Sequence, residues 1–541
     1  MTWSVLLLAC LQGPPAPIDK KAPPLPPPAG NVVWARDAAG LRRALEGAAP
    51  DSTVMVADGT YRLTEFIYMR DRRNVVVRGA SGDPSRVVLS GRGWDRRDEQ
   101  DDILRIGGGR NVTIAHLTFA DCHSYGIKVE AEGRPENIHV YDCRFRDIGM
   151  RAIKGSTSIA GRAAGGSIRY CRFENTRVPP ADWLFGGDYI TAIDMMALDG
   201  WTISDNFFKD IRGRNGNARG AVFVWVRSRN VTVERNLIVG CDRGVSFGNP
   251  SGSSAFQEGS PHVSDSVVRN NFIVAGKDAG IELWWAENVR VHHNTVWRED
   301  AGGWGLRGGG ERWKIARIDA ANNLVRGTIQ LSGGVDLRNN VSGGLDGFFV
   351  DPKAGDLRLT GAAVQAVGRA VPLPDVKEDF EGCPRDAAPD VGASEFGARR
   401  GAKTAGPEAA RKGEPPARKA AGREAVAAWD ARLLARIREE LGAGRKPRFK
   451  WSAVGDWADI AEVGAKNDLR IQGRDGAAML AWSSLSPEDR RNVAVGIARK
   501  ERAADQALAA FYLLAMGEEE RAKPYLEKAG PAAEEVKGAF K

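Results

Sequence analysis

The chain has 541 residues, enough for several domains, and 43% of them are hydrophobic, which supports a packed core. Its 64 glycines, set among many valines and isoleucines, read as strands broken by tight turns and exclude a predominantly helical protein. A net charge of +8 admits an acidic polymer as partner, and six cysteines in no CxxC pair and at no zinc spacing exclude a thiolate metal site.

The opening residues MTWSVLLLACLQG carry an apolar run too short to span a bilayer. The run is like the core of a secretory leader without its positive start, and Leu7-Leu8-Ala9-Cys10 resembles the box before a lipid-modified cysteine. Residues 1–30, with the proline-rich PPAPIDKKAPPLPPPAG, are therefore expected to be leader and linker. The protein is expected outside the cytoplasm, extracellular or at the periplasm and envelope, lipid-anchored at Cys10. No other stretch is apolar enough to cross a membrane.

Residues 37–48, DAAGLRRALEGA, predict a helix capped by Asp37, with Leu41, Ala44, Leu45 and Ala48 on one face. It is expected to cover the first end of a strand-rich region. APDSTVMVADGTYRL (49–63), NVVVRGASG (74–82) and RVVLSGRG (86–93) then read as strands with tight turns.

One phrase now repeats: VTVERNLIV (231–239), VVRNNFIVAG (267–276), VRVHHNTV (289–296) and VDLRNNV (335–341). Aligned on its apolar alternation, the key position falls on Leu117, Cys143, Cys171, Asn206, Asn236, Asn271, Asn294, Asn323 and Asn340. The steps are 26, 28, 35, 30, 35, 23, 29 and 17, a repeat of variable length and so a solenoid. A second phrase comes after each first one: GIKV (126–129), AIKG (152–155), AIDM (192–195), AVFV (221–224), GVSF (244–247), GIEL (280–283), TIQL (328–331) and, more loosely, GLRG (305–308). Two strands per turn plus a third short one predict an all-β right-handed parallel β-helix over 31–397, closing near PDVGASEFG (389–397). Asparagine is a poor strand former. At an inward turn, however, its amide can bond the amides of the coils above and below, so the six asparagines are predicted to form a ladder. Cys143 and Cys171 fill the same slot as small buried groups, with no disulfide.

Residues 398–423 lose all periodicity and read as a basic linker. From 424 to 541 the pattern is helical, in EAVAAWDARLLARIREEL and DQALAAFYLLAMGEEERAKPYLEKAG. An appended small α-helical module is expected. The second stretch is like a tetratricopeptide-type helix pair, an ordinary helical bundle being the alternative, and its expected role is a protein partner rather than chemistry.

APDSTVMVADGTYRL resembles the opening of β-helices of the chondroitinase-B and alginate-lyase type, with Asp51–Ser52 where that phrase has Gly–Asp. RAIKGS (151–156), AIDMMALDGWTISDNFF (192–208), VERNLIVGCDRGVSFGN (233–249), VRVHHNTV and PDVGASE (389–395) resemble a group of bacterial right-handed β-helix repeat proteins. The resemblance covers 31–397 and implies the pectin-lyase-like fold. It brings no activity with it.

The third residue of each second phrase points outward, giving a stripe of Lys128, Lys154, Asp194, Phe223, Ser246, Glu282, Arg307 and Gln330. Two residues on runs a parallel stripe holding Trp225 and Trp284. Neighbours are expected roughly 5 Å apart, and Asp194 and Glu282 three coils, roughly 14 Å, apart. Two insertions, 178–189 and 249–262, are expected to wall a groove there. Exposed tryptophans among mixed charges suit a sugar chain.

The stripe admits three functional readings. The first is β-elimination on an acidic, uronate-containing polysaccharide, with Lys154 as base beside Asp194 and Arg243 as carboxylate clamp. Lys128, Phe223, Trp225, Ser246, Glu282, Trp284 and Arg307 are then expected to bind substrate. For the Lys154 pKa, Lys128 works downward and Asp194 upward, so the sequence leaves its sign open. The second reading is glycan or cell-wall binding without turnover. The third is a glycoside hydrolase or epimerase on the same fold, although Asp194 has no carboxylate partner one coil away. His292 and His293 are expected one inward and one outward, in structural roles. No nucleic-acid reader motif appears. The cofactor is unknown; calcium is the one metal left open, with Asp188, Asp194 and Asp199 near in sequence.

Overall fold

The computed structural model describes residues 20–540 apart from 97–100, 157–160, 251–260, 344, 398–422, 452–455, 465–466, 474–475, 483–484, 486, 500 and 517. The leader-like run with Cys10 and nearly all of the basic linker lie outside the described residues. The chain divides into two compact units, Met1–Ala402 and Lys403–Lys541.

The first unit is a right-handed parallel β-helix. Its strands stack into sheets of 16, 10 and 11 members among the described residues. One coil runs Glu136–Tyr141, Arg144–Ile148 and Arg151–Gly155, one strand to each sheet. Inward side chains repeat from coil to coil. Phe119, Phe145, Phe173 and Phe208 stack nearly parallel, with ring centroids 5.0, 4.8 and 4.7 Å apart.

The asparagine ladder forms. Asn236 Nδ2 donates to Asn271 Oδ1 at 3.0 Å, Asn271 to Asn294 at 2.9 Å and Asn294 to Asn323 at 3.0 Å. Each Oδ1 also accepts the backbone N–H of the ladder residue before it, as Asn271 does from Asn236 at 3.0 Å. Cys171 sits in the column: its N–H bonds Asn206 Oδ1 at 2.9 Å, and its thiol meets the Cys143 N–H. The residue just ahead of each slot (Asp142, Tyr170, Asp205, Arg235, Asn270, His293, Asn322, Asn339) has φ between 45° and 59°. That left-handed residue makes the corner that turns the next side chain inward, and Asn, Asp and His tolerate it best.

The first end is covered as expected. The helix Ala38–Glu46 is capped by Asp37, which accepts the Gly40 N–H at 2.6 Å, and it buries Leu41 and Leu45. The other end departs from expectation. Residues 345–397 lie along the flank of the eleven-stranded sheet, where Leu345, Phe349, Leu357, Phe380 and Val391 cover Leu237, Phe272 and Leu324. Beneath this covering both His292 and His293 are buried, contrary to the one-in, one-out expectation. His292 bonds Asp319 at 3.0 Å, and His293 bonds Gly392 O at 3.2 Å. Five cysteines are described; all are buried and free.

The second unit has the expected helices at Arg423–Gly442, Pro487–Ile497, Ala503–Ala515, Glu519–Ala529 and Ala532–Gly538. Between the first two lies an antiparallel sheet that was not expected: Arg448–Trp451, Asp456–Val463, Asp468–Gly473 and Gly476–Ala481. Phe449, Ile460, Leu469 and Ile471 of the sheet share a core with Trp429, Leu433 and Phe511. No helix among the described residues is long and apolar enough to cross a membrane.

Candidate functional site

The ten-stranded sheet carries the outward stripe in the predicted register. Lys128 lies opposite Lys154, Lys154 opposite Asp194, Asp194 opposite Phe223 and Phe223 opposite Ser246. Ser246 lies opposite Glu282, Glu282 opposite Arg307 and Arg307 opposite Gln330. The open groove is corrected. Lys154 is 7% exposed, Asp194 1%, Phe223 2%, and Ser246 and Glu282 are fully buried. Trp225, Trp284, Lys128 and Arg307 are half-buried. Of the two expected walls, 178–189 is described in full, whereas 251–260 of the second lies outside the described residues.

The charges form two centres. In the first, the Asp194 carboxylate accepts from Arg151 Nε at 2.6 Å, Lys154 Nζ at 2.9 Å and Trp225 Nε1 at 3.0 Å. The Arg151 guanidinium lies on the Tyr189 ring, 3.7 Å from its centroid. One buried carboxylate thus serves two cations. Burial works to raise the Asp194 pKa, but Lys154 and Arg151 outweigh it and hold the carboxyl below its usual range. Lys154 bears the shortage: burial pushes its pKa down, Asp194 opposes, and Arg151 and Lys128 add to the fall. The sign left open by the sequence resolves downward. Arg151 itself went unread, although the phrase RAIKGS holds it three residues ahead of Lys154. The outward stripe runs through Lys154, and Arg151 stands at the other end of the same strand.

The second centre surrounds Glu282. It accepts from Ser246 Oγ at 2.7 Å and Arg307 Nη2 at 2.8 Å, with Arg243 at 3.4 Å and Arg219 at 3.5 Å. Burial opposes ionisation there, but Arg243, Arg307 and Arg219 hold the pKa down at about 2. Arg243 also pairs with Asp278 and donates to the carbonyls of Asn217 and Ala218. The clamp expectation is therefore corrected: Arg243 is spent on this centre, and Arg151 is the arginine beside Lys154. Ser246 and Glu282 are likewise occupied with each other, and Phe223 stacks on Trp225, centroids 5.4 Å apart. Trp284 and Arg307 lie at the outer edge, the Arg307 guanidinium 4.3 Å from the Trp304 ring centroid. Lys128 Nζ stands 3.8 Å from Glu130.

The three aspartates weighed for calcium do not converge. Asp188 accepts from Asn215, Asp194 from Arg151, Lys154 and Trp225, and Asp199 from Arg229 and Asn230. Among the described residues no group of three or more His, Cys, Asp or Glu is placed to hold a metal. Asp194 and Glu282 stand three coils apart, roughly 14 Å, beyond the ~5–9.5 Å that glycoside hydrolysis requires of its carboxylates.

Residues 102–325 match the family model of the right-handed beta helix region. No curated protein matches the chain. Among solved structures, an alginate lyase from Paenibacillus sp. str. FPU-7 is 14% identical, with 57% of this chain and 97% of that one covered and a TM-score of 0.35. A mannuronic acid specific polysaccharide family 6 lyase from human gut microbiota is 16% identical, covering 59% and 83%, with a TM-score of 0.39. A PL6 family polysaccharide lyase from Pseudopedobacter saltans is 13% identical, covering 67% and 99%, with a TM-score of 0.34. These figures assign no activity to this chain.

Proposed function

We propose that this is a carbohydrate-active β-helix protein that cleaves an acidic, uronate-containing polysaccharide by β-elimination at the Lys154 centre. One observation carries the reading: a buried amine with its pKa pushed down, whose one carboxylate partner among the described residues is shared with an arginine. A lysine so placed loses its proton more readily and can act as a base. The proton beside the uronate carboxylate passes to Lys154 Nζ. Its electron pair forms the new C=C bond as the C–O bond to the next sugar breaks. Arg151 offsets the negative charge that builds on the substrate carboxylate. Tyr125, opposite Arg151 on the preceding coil, has its phenol pKa raised by burial and is the proposed proton donor to the departing oxygen. With this substrate class goes a place outside the cytoplasm, and for the C-terminal unit a role in docking a protein partner.

The second reading, binding without turnover, is favoured by the three donors that already engage Asp194. The test is to incubate the protein with alginate, pectate and chondroitin and follow the ultraviolet absorbance of an unsaturated uronate. Absorbance is expected to rise with one of them and to stay flat for Lys154→Met. A flat trace for the unaltered protein with the polymer still bound would select the second reading. A rise that survives Lys154→Met removes Lys154 as the base.

A further inference from the structure

The loop 178–189 does something that packing alone does not require. Its tip puts large apolar groups into water: Phe185 is 77% exposed and Leu184 55%. Phe185 also holds a left-handed backbone, φ 53° and ψ 38°, which costs a non-glycine residue free energy. The tip is nonetheless fastened from both sides. Trp183 is buried, 5.2 Å from the Trp94 ring and 4.4 Å from His123. Asn215 donates to Gly186 O at 3.0 Å and, through its backbone N–H and its side chain, to the Asp188 carboxylate at 2.9 and 3.1 Å. The Arg214 N–H bonds Gly187 O at 3.1 Å. Gly187, φ 84°, admits no side chain, since a Cβ would meet Pro180 O at 2.7 Å. A fastened loop that holds a strained, exposed ring in one place is organised to present it.

The neighbours of that ring indicate its occupant. The Phe185 ring lies 5.4 Å from that of Tyr189, tilted by 40°, and the Arg151 guanidinium lies 3.7 Å from the Tyr189 ring centroid. An exposed aromatic face, a half-buried one and the cation beside Lys154 thus succeed one another, with Arg214 exposed alongside. The C–H face of a pyranose stacks on aromatic rings, while a ring carboxylate seeks the cations.

We propose that Phe185 and Tyr189 form a stacking subsite for one pyranose ring of an acidic polysaccharide, the unit next to the one held at the Lys154 centre. The substrate class rests on the function proposed above. The test measures binding and turnover separately in the full-length protein, with alginate, pectate and chondroitin as probes, for Phe185→Ala and Phe185→Trp. Phe185→Ala is expected to weaken binding of the retained polymer about 3- to 10-fold, with the unfolding midpoint unchanged, and Phe185→Trp to restore it. Unaltered protein that binds without cleaving, and binds less well as Phe185→Ala, upholds the subsite while elimination fails. Cleavage by unaltered protein with equal affinity and KM for Phe185→Ala overturns the subsite while elimination stands. A Phe185→Ala effect confined to the unfolding midpoint or to self-association on a sizing column overturns it too, as does failure of the unaltered protein to bind any of the three polymers.

Discussion

Lys154 and Asp194 face each other one coil apart, yet their removal should have opposite effects. Asp194 neutralises two buried cations, so Asp194→Asn leaves Arg151 and Lys154 uncompensated; the expected cost is about 3–5 kcal/mol, read from urea unfolding. Lys154 is the surplus cation. Lys154→Met leaves a matched Arg151–Asp194 pair, and its stability should stay within about 1 kcal/mol of the unaltered protein or exceed it. A loss as large as that of Asp194→Asn would show that Lys154 is there for structure. The pH dependence separates them further. The folded state binds the Lys154 proton less tightly than the unfolded chain does. Between the lowered folded pKa and the ordinary lysine value, the unfolded state therefore holds more protons, and stability rises with pH there. Lys154→Met should flatten that rise; the same slope in both proteins would show that the amine is not the group titrating. The stripe position of Lys154 was legible because strand alternation has a fixed period. Its partnership was not, because Arg151, which shares Asp194 with it, stands at the other end of the strand, where no repeat points to it.

At the scale of one coil, the ladder asparagine is the element on which register depends. Asn271 accepts from the Asn236 N–H and Nδ2 and donates to Asn294 Oδ1, Val233 O and Arg269 O. Asn271→Ala strands several buried polar groups at about 1–3 kcal/mol each. Asn340 ends the column and is half-buried, so its replacement strands fewer. Asn271→Ala is expected to lower the urea midpoint clearly more than Asn340→Ala, and equal losses would refute the ladder as a cooperative column. The ladder was readable because each coil repeats the same pair: a residue that accepts positive φ, then the inward amide. The C-terminal sheet was not. Its buried positions, Phe449, Ala458, Ile460, Leu469 and Ile471, come in short strands without a repeat to align. Beside strong helical periodicity on both sides, such segments were absorbed into the helices.

Across the first unit, the segment that begins at Lys20 is fastened to the covering formed by residues 345–397. The proline-rich segment after Lys20 has no hydrogen bonds of its own, as an extended proline stretch has none, so its carbonyls are free for side chains. Thr53 donates to Ala29 O at 2.7 Å, Arg78 to Pro26 O at 2.7 Å and Tyr141 to Pro23 O at 2.5 Å, each contact further along the coils. Lys20 ends the path. Its ammonium donates to Asp205 Oδ1 at 3.1 Å, Arg235 O at 2.9 Å and Phe380 O at 2.5 Å, and sits 3.8 Å from the Phe380 ring centroid. Phe380 belongs to the flank segment that packs on Phe272, so one amine joins the N-terminal segment to the C-terminal covering. Lys20→Met keeps the stem and removes the charge. Asp205 retains Arg235 at 3.0 Å, so the loss is that of charge-assisted hydrogen bonds, about 2 kcal/mol, rather than of a whole buried pair. The N-terminal segment should then lift before the β-helix opens. Trypsin should cut after Lys21 faster in Lys20→Met than in the unaltered protein under native conditions, with a lower urea midpoint. Equal cleavage rates would mean that the carbonyl contacts to Thr53, Arg78 and Tyr141 hold the segment without the Lys20 fastening.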